Sequence, residues 1–140
     1  MTTLYGAGYE NLVRRRIKRV ALTAGAANAM AFAWQNPEDK PIVVTKVVVD
    51  KTTAGGTATS VLDIGPATSA TGTADTIIDG LDLNSAAVAD NIADKGTNGT
   101  TRVVKRDAKD GTNDYITGKI LVEKCDNLVG YVYIEYFIVE

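Results

Sequence analysis

The run from Gly130 to Glu140, GYVYIEYFIVE, constrains the fold more than any other stretch, because nearly every residue in it is β-branched or aromatic. Side chains on a strand alternate between faces, so Val132, Ile134, Tyr136 and Ile138 fall on one side and Tyr131, Tyr133, Glu135, Phe137 and Val139 on the other. Both sides are apolar enough to be buried, which predicts a central strand inside a two-layer β structure. The run closes the chain, and the earlier segments read as its partners.

Those segments repeat the two-residue period. Ile17–Ala24 (IKRVALTA) is strand-like, and Gly25–Asn28 supplies a turn before Ala29–Trp34 (AMAFAW), in which Met30, Phe32 and Trp34 share one face and alanines the other. Ile42–Asp50 is a second strong strand, six of its nine residues being valine or isoleucine. Ala58–Ile64, Thr76–Leu83 (broken by Gly80), Thr100–Arg106 with its charged face, and Tyr115–Val122 complete the set, separated by turns rich in glycine, threonine and asparagine. Asn84–Lys95 reads equally as a helical turn or an extended loop. About eight strands with short connections predict an all-β fold, an antiparallel β-sandwich of jelly-roll type. No alternating βα units and no fixed repeat are visible.

A chain of 140 residues with 45% hydrophobic composition suits one domain. Its formal net charge of −2 gives no ground for nucleic acid or a membrane surface as partner, and no apolar run reaches the ~20 residues of a membrane span. The N-terminus lacks the apolar centre of a signal peptide, so synthesis in cytoplasm is expected. Histidine is absent, which removes the Ser-His-Asp and Cys-His arrangements together with the commonest general base. The single cysteine, Cys125, reads as a small inert residue. Asp79, Asp82, Asn84, Asp90 and Asp94 offer oxygens to a calcium ion in principle, but their spacing is not that of an EF-hand, and turn capping explains them more simply. Thr117-Gly118-Lys119 ends like a phosphate-binding loop whose first glycine is replaced by Asn113. The expectation is a protein without catalytic residues, cofactor or metal.

The first residues differ from the rest. Residues 1–16 read as an N-terminal arm and 17–140 as the sandwich domain. Tyr9, Leu12, Val13 and Ile17 match one face of a short helix, with Arg14, Arg15 and Lys18 pointing elsewhere. Two readings stand side by side, a basic arm that orders against another chain and a solvated extension. On the first, Leu4, Tyr5, Tyr9, Leu12 and Val13 supply apolar contact and Arg14, Arg15 and Arg16 supply charge.

The succession AMAFAWQNP (Ala29–Pro37), the valine-rich strand ending in Asp50, IIDGLD (Ile77–Asp82), DNI (Asp90–Ile92), DKGTNG (Asp94–Gly99), YITG (Tyr115–Gly118) and LVG (Leu128–Gly130) resembles small structural proteins of tailed phages and prophages, whose genes commonly lie beside that of the major capsid protein. The resemblance covers roughly Val20 to Glu140; the arginine-rich stretch lies outside it. It implies a head decoration, or cement, protein: a β-rich module on the outer surface of the virion capsid, often a homotrimer, bound to the major capsid protein and stabilising the head. The rival reading is a carbohydrate-binding or host-adsorption module of a phage tail, using Tyr131, Tyr133, Tyr115 or Trp34 as a sugar platform. A carboxylate-only hydrolase ranks third.

Overall fold

The computed structural model describes residues 14–139. Nine strands fill them: β1 (Arg15–Ala21), β2 (Met30–Gln35), β3 (Ile42–Thr53), β4 (Val61–Ala67), β5 (Ile78–Asp82), β6 (Ala87–Asp90), β7 (Val104–Arg106), β8 (Tyr115–Leu121) and β9 (Val129–Ile138). All pairings are antiparallel, and no helix occurs among the described residues. One sheet runs β1-β9-β3-β6, with β7 also paired to β3; the other runs β2-β8-β4-β5. The all-β, two-sheet architecture expected from the alternating pattern is therefore present, with one strand more than the sequence reading counted.

The two strongest sequence runs lie side by side. β9 sits between β1 and β3, and β3 pairs with it from Ile42↔Ile138 to Thr53↔Val129. Val132, Ile134 and Tyr136 are fully buried on the inner face of β9, and Ile42, Val44, Val47 and Val49 line the same side of β3. Facing them from the second sheet are Phe32, Leu62, Ile64, Ile78, Ile116 and Ile120. Here the expectation that both faces of β9 are buried fails: Tyr131, Tyr133, Glu135 and Phe137 are only half-buried. No third layer exists among the described residues, so the second face of a central strand becomes an outer surface.

Three local departures from the period-two reading have identifiable causes. The β2–β8 register shifts between Met30 and Phe32, so Ala31 and Phe32 are both buried while Trp34 is only partly so. The single bulky face expected for Met30, Phe32 and Trp34 is thus broken by a bulge. Opposite it, a Cβ at Gly118 would run into the Phe32 ring, so glycine makes room for the large side chain. Second, the undecided stretch Asn84–Lys95 contains strand β6 followed by a turn. Third, the strand expected over Thr100–Arg106 shrinks to Val104–Arg106.

β6 and β7 pair with different stretches of β3, Val48–Lys51 and Ile42–Val44, and the gap between them is filled by one side chain. Asn91, almost fully buried, accepts a hydrogen bond from the Val47 amide through Oδ1 (2.9 Å) and donates through Nδ2 to the Thr100 carbonyl (3.1 Å). Its own amide donates to Val47 O (3.2 Å). Asparagine thereby stands in for missing strand and keeps buried backbone groups satisfied.

Candidate partner-binding surface

The outer face of the five-stranded sheet is built from alternate residues of its strands. On β9 these are Tyr131, Tyr133, Glu135 and Phe137; opposite them on β1 stand Ala21, Arg19, Ile17 and Arg15, and on β3 Asp50, Val48, Lys46 and Val43. The face is an aromatic and aliphatic stripe fringed by charge. Arg19 lays its guanidinium over the Tyr131 ring, 4.4 Å from the centroid, and Tyr131 and Tyr133 lie 6.5 Å apart. Arg15 Nη1 approaches Glu135 Oε1 at 3.6 Å, and Thr45 Oγ1 donates to the same carboxylate oxygen (2.9 Å). Between these residues and Phe137 lies an open hollow of about 420 Å³.

β1 borders this face. Its register with β9 runs from Arg15↔Phe137 to Ala21↔Tyr131 without a shift, and no described strand pairs with its other edge. Every residue of β1 except the half-buried Val20 is exposed, although Ile17 is aliphatic. Four of its seven residues are cations: Arg15, Arg16, Lys18 and Arg19.

On the inner side of β1 a three-residue network ties the strand to the loop after β2. Arg16 Nη1 donates to Glu38 Oε1 (2.6 Å), and the Tyr136 hydroxyl donates to the same oxygen (2.7 Å). Trp34 leans on the Tyr136 ring, with centroids 5.4 Å apart. Partial burial works to raise the Glu38 carboxyl, but the bonds from Tyr136 and Arg16 outweigh it and hold the group below its ordinary value. Burial and the adjacent carboxylate push the Tyr136 hydroxyl up to about 12. A depressed carboxyl stabilises the fold above its unfolded pKa, ordinarily 4.5, and that contribution disappears as the pH falls through the lower folded value. Glu38→Gln is therefore expected to melt a few degrees below the parent at pH 7, with the gap closing as the pH drops below about 4. Thermal unfolding of both proteins from pH 3 to 8 tests this; a gap of constant size would show that the charge of Glu38 does not contribute.

The sequence-predicted arm residues divide. Leu4, Tyr5, Tyr9, Leu12 and Val13 lie outside the described residues. Arg14 is exposed at the entrance to β1, and Arg15 and Arg16 stand inside the strand, so β1 begins two residues before the expected boundary at Ile17. The helical spacing proposed over Tyr9–Ile17 is strand where it is described. The antiparallel pairing with β9 decides Arg15–Ile17, overriding a periodicity only a few residues long.

The aspartates singled out in the sequence mostly cap turns. Asp82 Oδ1 accepts from the Asn84 amide (2.8 Å) and Oδ2 from Ser85 Oγ (3.0 Å). Asp90 Oδ1 accepts from the Ile92 and Ala93 amides (2.7 and 2.9 Å), and Asp94 Oδ2 from the Asp90 amide (3.0 Å). A grouping invisible in the sequence does form: Asp63, Asp75 and Asp79 bring carboxylate oxygens within 4.8 Å of one another. Pairing of β4 with β5 is what draws residues so far apart in the chain together. Burial, with the charges of Asp79 and Asp75, raises the Asp63 carboxyl against a lowering bond from the Gly80 amide. Such an oxygen set suits a hard cation. The Gly80 amide on Asp63, and Asn98 on both Asp79 and Asp75, account for its placement as part of a turn. In the same turn Gly96 has φ +72°, and a Cβ there would strike the Asp79 carbonyl.

No protein-family model matches the chain, and no curated protein does. Among solved structures it is similar to a chain of the cyanophage Pam1 capsid asymmetric unit, with 20% sequence identity and a TM-score of 0.43 over 91% of this chain and 85% of that one.

Proposed function

We propose that the protein is a decoration protein of a tailed-phage head: a non-catalytic β-sandwich that binds the major capsid protein on the outside of the virion, as a homotrimer, and stabilises the shell. The observation that carries this reading is the aromatic and aliphatic outer face of the five-stranded sheet, fringed by the cations of β1. Such a surface suits protein contact. The family resemblance in the sequence from Val20 onward points the same way. Setting the short strand β7 aside, the sheet orders β1-β9-β3-β6 and β2-β8-β4-β5 support the jelly-roll reading, an architecture found in viral capsid domains. A sugar platform is less well supported, because Arg19 already covers the Tyr131 ring and Trp34 is packed on Tyr136.

On this reading residues 1–13, together with Arg14, Arg15 and Arg16, reinforce attachment. Undecorated heads of the phage that encodes the protein are mixed with full-length chain, with a form lacking residues 1–13, and with Arg14, Arg15 and Arg16 changed to Ser; bound copies are then counted by sedimentation. Full-length protein should saturate the heads, and both altered forms should show lower occupancy at limiting concentration, the arginine variant differing less at high salt. Equal occupancy of all three would confine the contact to the sandwich. No binding by the full-length protein, with measurable affinity for host-surface glycans, would replace the decoration reading by the adsorption one.

A further inference from the structure

The two free edges of the five-stranded sheet differ in a way that fits each to the other. We infer that copies of this chain join head to tail, with the basic β1 edge of one copy continuing the sheet past the acidic β6 edge of the next. β1 and β6 are the terminal strands of that sheet, and no described strand pairs with the outward side of either. On β6 the Asp90 amide and carbonyl are already bonded to Asp94, so Val88 is the residue of that strand whose backbone is open to a partner. β1 offers a regular backbone edge, free of the bulge or proline that commonly protects such edges. Around β6 stand Asp90, Asp94 in the turn after it, and Asp50 directly opposite Val88 on β3. Lys46 lies 3.8 Å from Asp90, and the buried Lys51 acts on Asp94, so the two offset part of that charge. On β1, Glu135 and Glu38 pair with Arg15 and Arg16, and Lys18 also acts on the Glu38 charge; four cations beside two carboxylates leave the edge positive on balance.

Each edge also carries one exposed aliphatic on the outer face of the sheet: Ile17, 61% exposed, opposite Glu135, and Val88, 67% exposed, opposite Asp50. In a sheet continued across two copies these side chains fall on the same face and come together, each relieving the other of water. The β7 half of the far edge exposes Lys105, which repels β1 and favours the β6 half for the contact. Because the two edges are unlike, the contact is heterologous, and a closed ring is the form in which no edge is left over. Three copies is the ring consistent with the proposed trimer. The inference concerns only the subunit contact: intact rings that fail to bind heads would undo the proposed function and leave it standing.

Ile17→Glu and Val88→Lys test it, since both positions are exposed and neither substitution removes a buried group. The parent protein should show by light scattering the mass of three chains, with self-association weakening as salt rises. Each single variant should fall to the monomer, its dissociation constant raised at least tenfold. Both changes in one chain should restore the ring, because the reversed charges then face each other across the same contact. Melting temperatures like the parent's show that the variants are folded; should either melt lower, Lys18→Ser and Val88→Thr replace them, and each should still weaken the ring. A parent protein that stays monomeric at every concentration, single variants that keep its mass, or folded variants whose combination regains nothing would each overturn the inference. A monomeric parent whose Ile17→Glu form alone loses attachment to heads would assign the β1 edge to a segment of the capsid protein instead.

Discussion

Ile134→Ala is expected to destabilise the protein by about 4 kcal/mol, lowering the melting temperature by on the order of 10 °C. Ile134 is fully buried at the middle of β9, opposite Val47 on β3 and Lys18 on β1. Truncation there removes three carbon atoms from a site held rigidly by strands on both sides, so the cavity cannot collapse and the loss exceeds simple transfer. Ile138 near the end of the same strand is only partly buried, and its truncation should cost less than half as much. Ile17→Ala, at an exposed position, should change stability by under about 0.5 kcal/mol. Urea unfolding of the three variants checks the order. Equal losses at Ile134 and Ile17 would mean that β9 is not the centre of the core.

This gradient across isoleucines shows what the sequence could and could not convey. Period two in GYVYIEYFIVE and IVVTKVVVD identified both central strands, and the inner faces of both are the core. Nothing in the pattern told an inner apolar face from an outer one, since Tyr131, Tyr133 and Phe137 are as β-prone as Val132 and Ile134. Only the number of layers distinguishes them. Boundaries failed where a bond from elsewhere overrode the local signal: the bulge at Ala31 accommodated across from Gly118, and Arg15–Ile17 drawn into β1 by β9.

The surface was legible in part. The cluster of cations from Arg14 to Arg19 is conspicuous as sequence, and its first three members, Arg14, Arg15 and Arg16, read there as the end of an arm, with Lys18 and Arg19 in the strand that follows. Its strand character depends on partners more than a hundred residues away. Glu38 gave no sign of its role beyond standing in a polar loop, yet it binds Arg16 and Tyr136 and fixes the β1 edge. Asp63, Asp75 and Asp79 likewise became neighbours only through sheet pairing. Turn capping by Asp82, Asp90 and Asp94 was the better readable case, because each bonds within a few residues of itself.

Asn91→Leu should cost about 3 kcal/mol although it replaces a polar side chain by an apolar one of similar size. The asparagine bridges the gap between β6 and β7, and leucine there leaves the Val47 amide and the Thr100 carbonyl without the bonds that the side chain supplies. Each such buried group costs roughly 1–3 kcal/mol when unsatisfied, which outweighs the gain from extra apolar contact. Asn91→Asp separates the two bonds: the carboxylate still accepts from Val47 N–H but turns like charge toward the Thr100 carbonyl, so its loss should grow as the pH rises past the carboxyl's own pKa. Hydrogen exchange gives the local readout. In the leucine variant the Val47 amide should lose most of its protection while Val132 and Ile134, deep in the β9 ladder, keep theirs relative to global stability. A leucine variant within about 0.5 kcal/mol of the parent, with Val47 still protected, would mean that the strand ladder holds that edge of the sheet without the side chain. The same amide lies one turn of the pleat from the β6 edge, so loosening it should also widen the spread of β6 positions and weaken any contact made there.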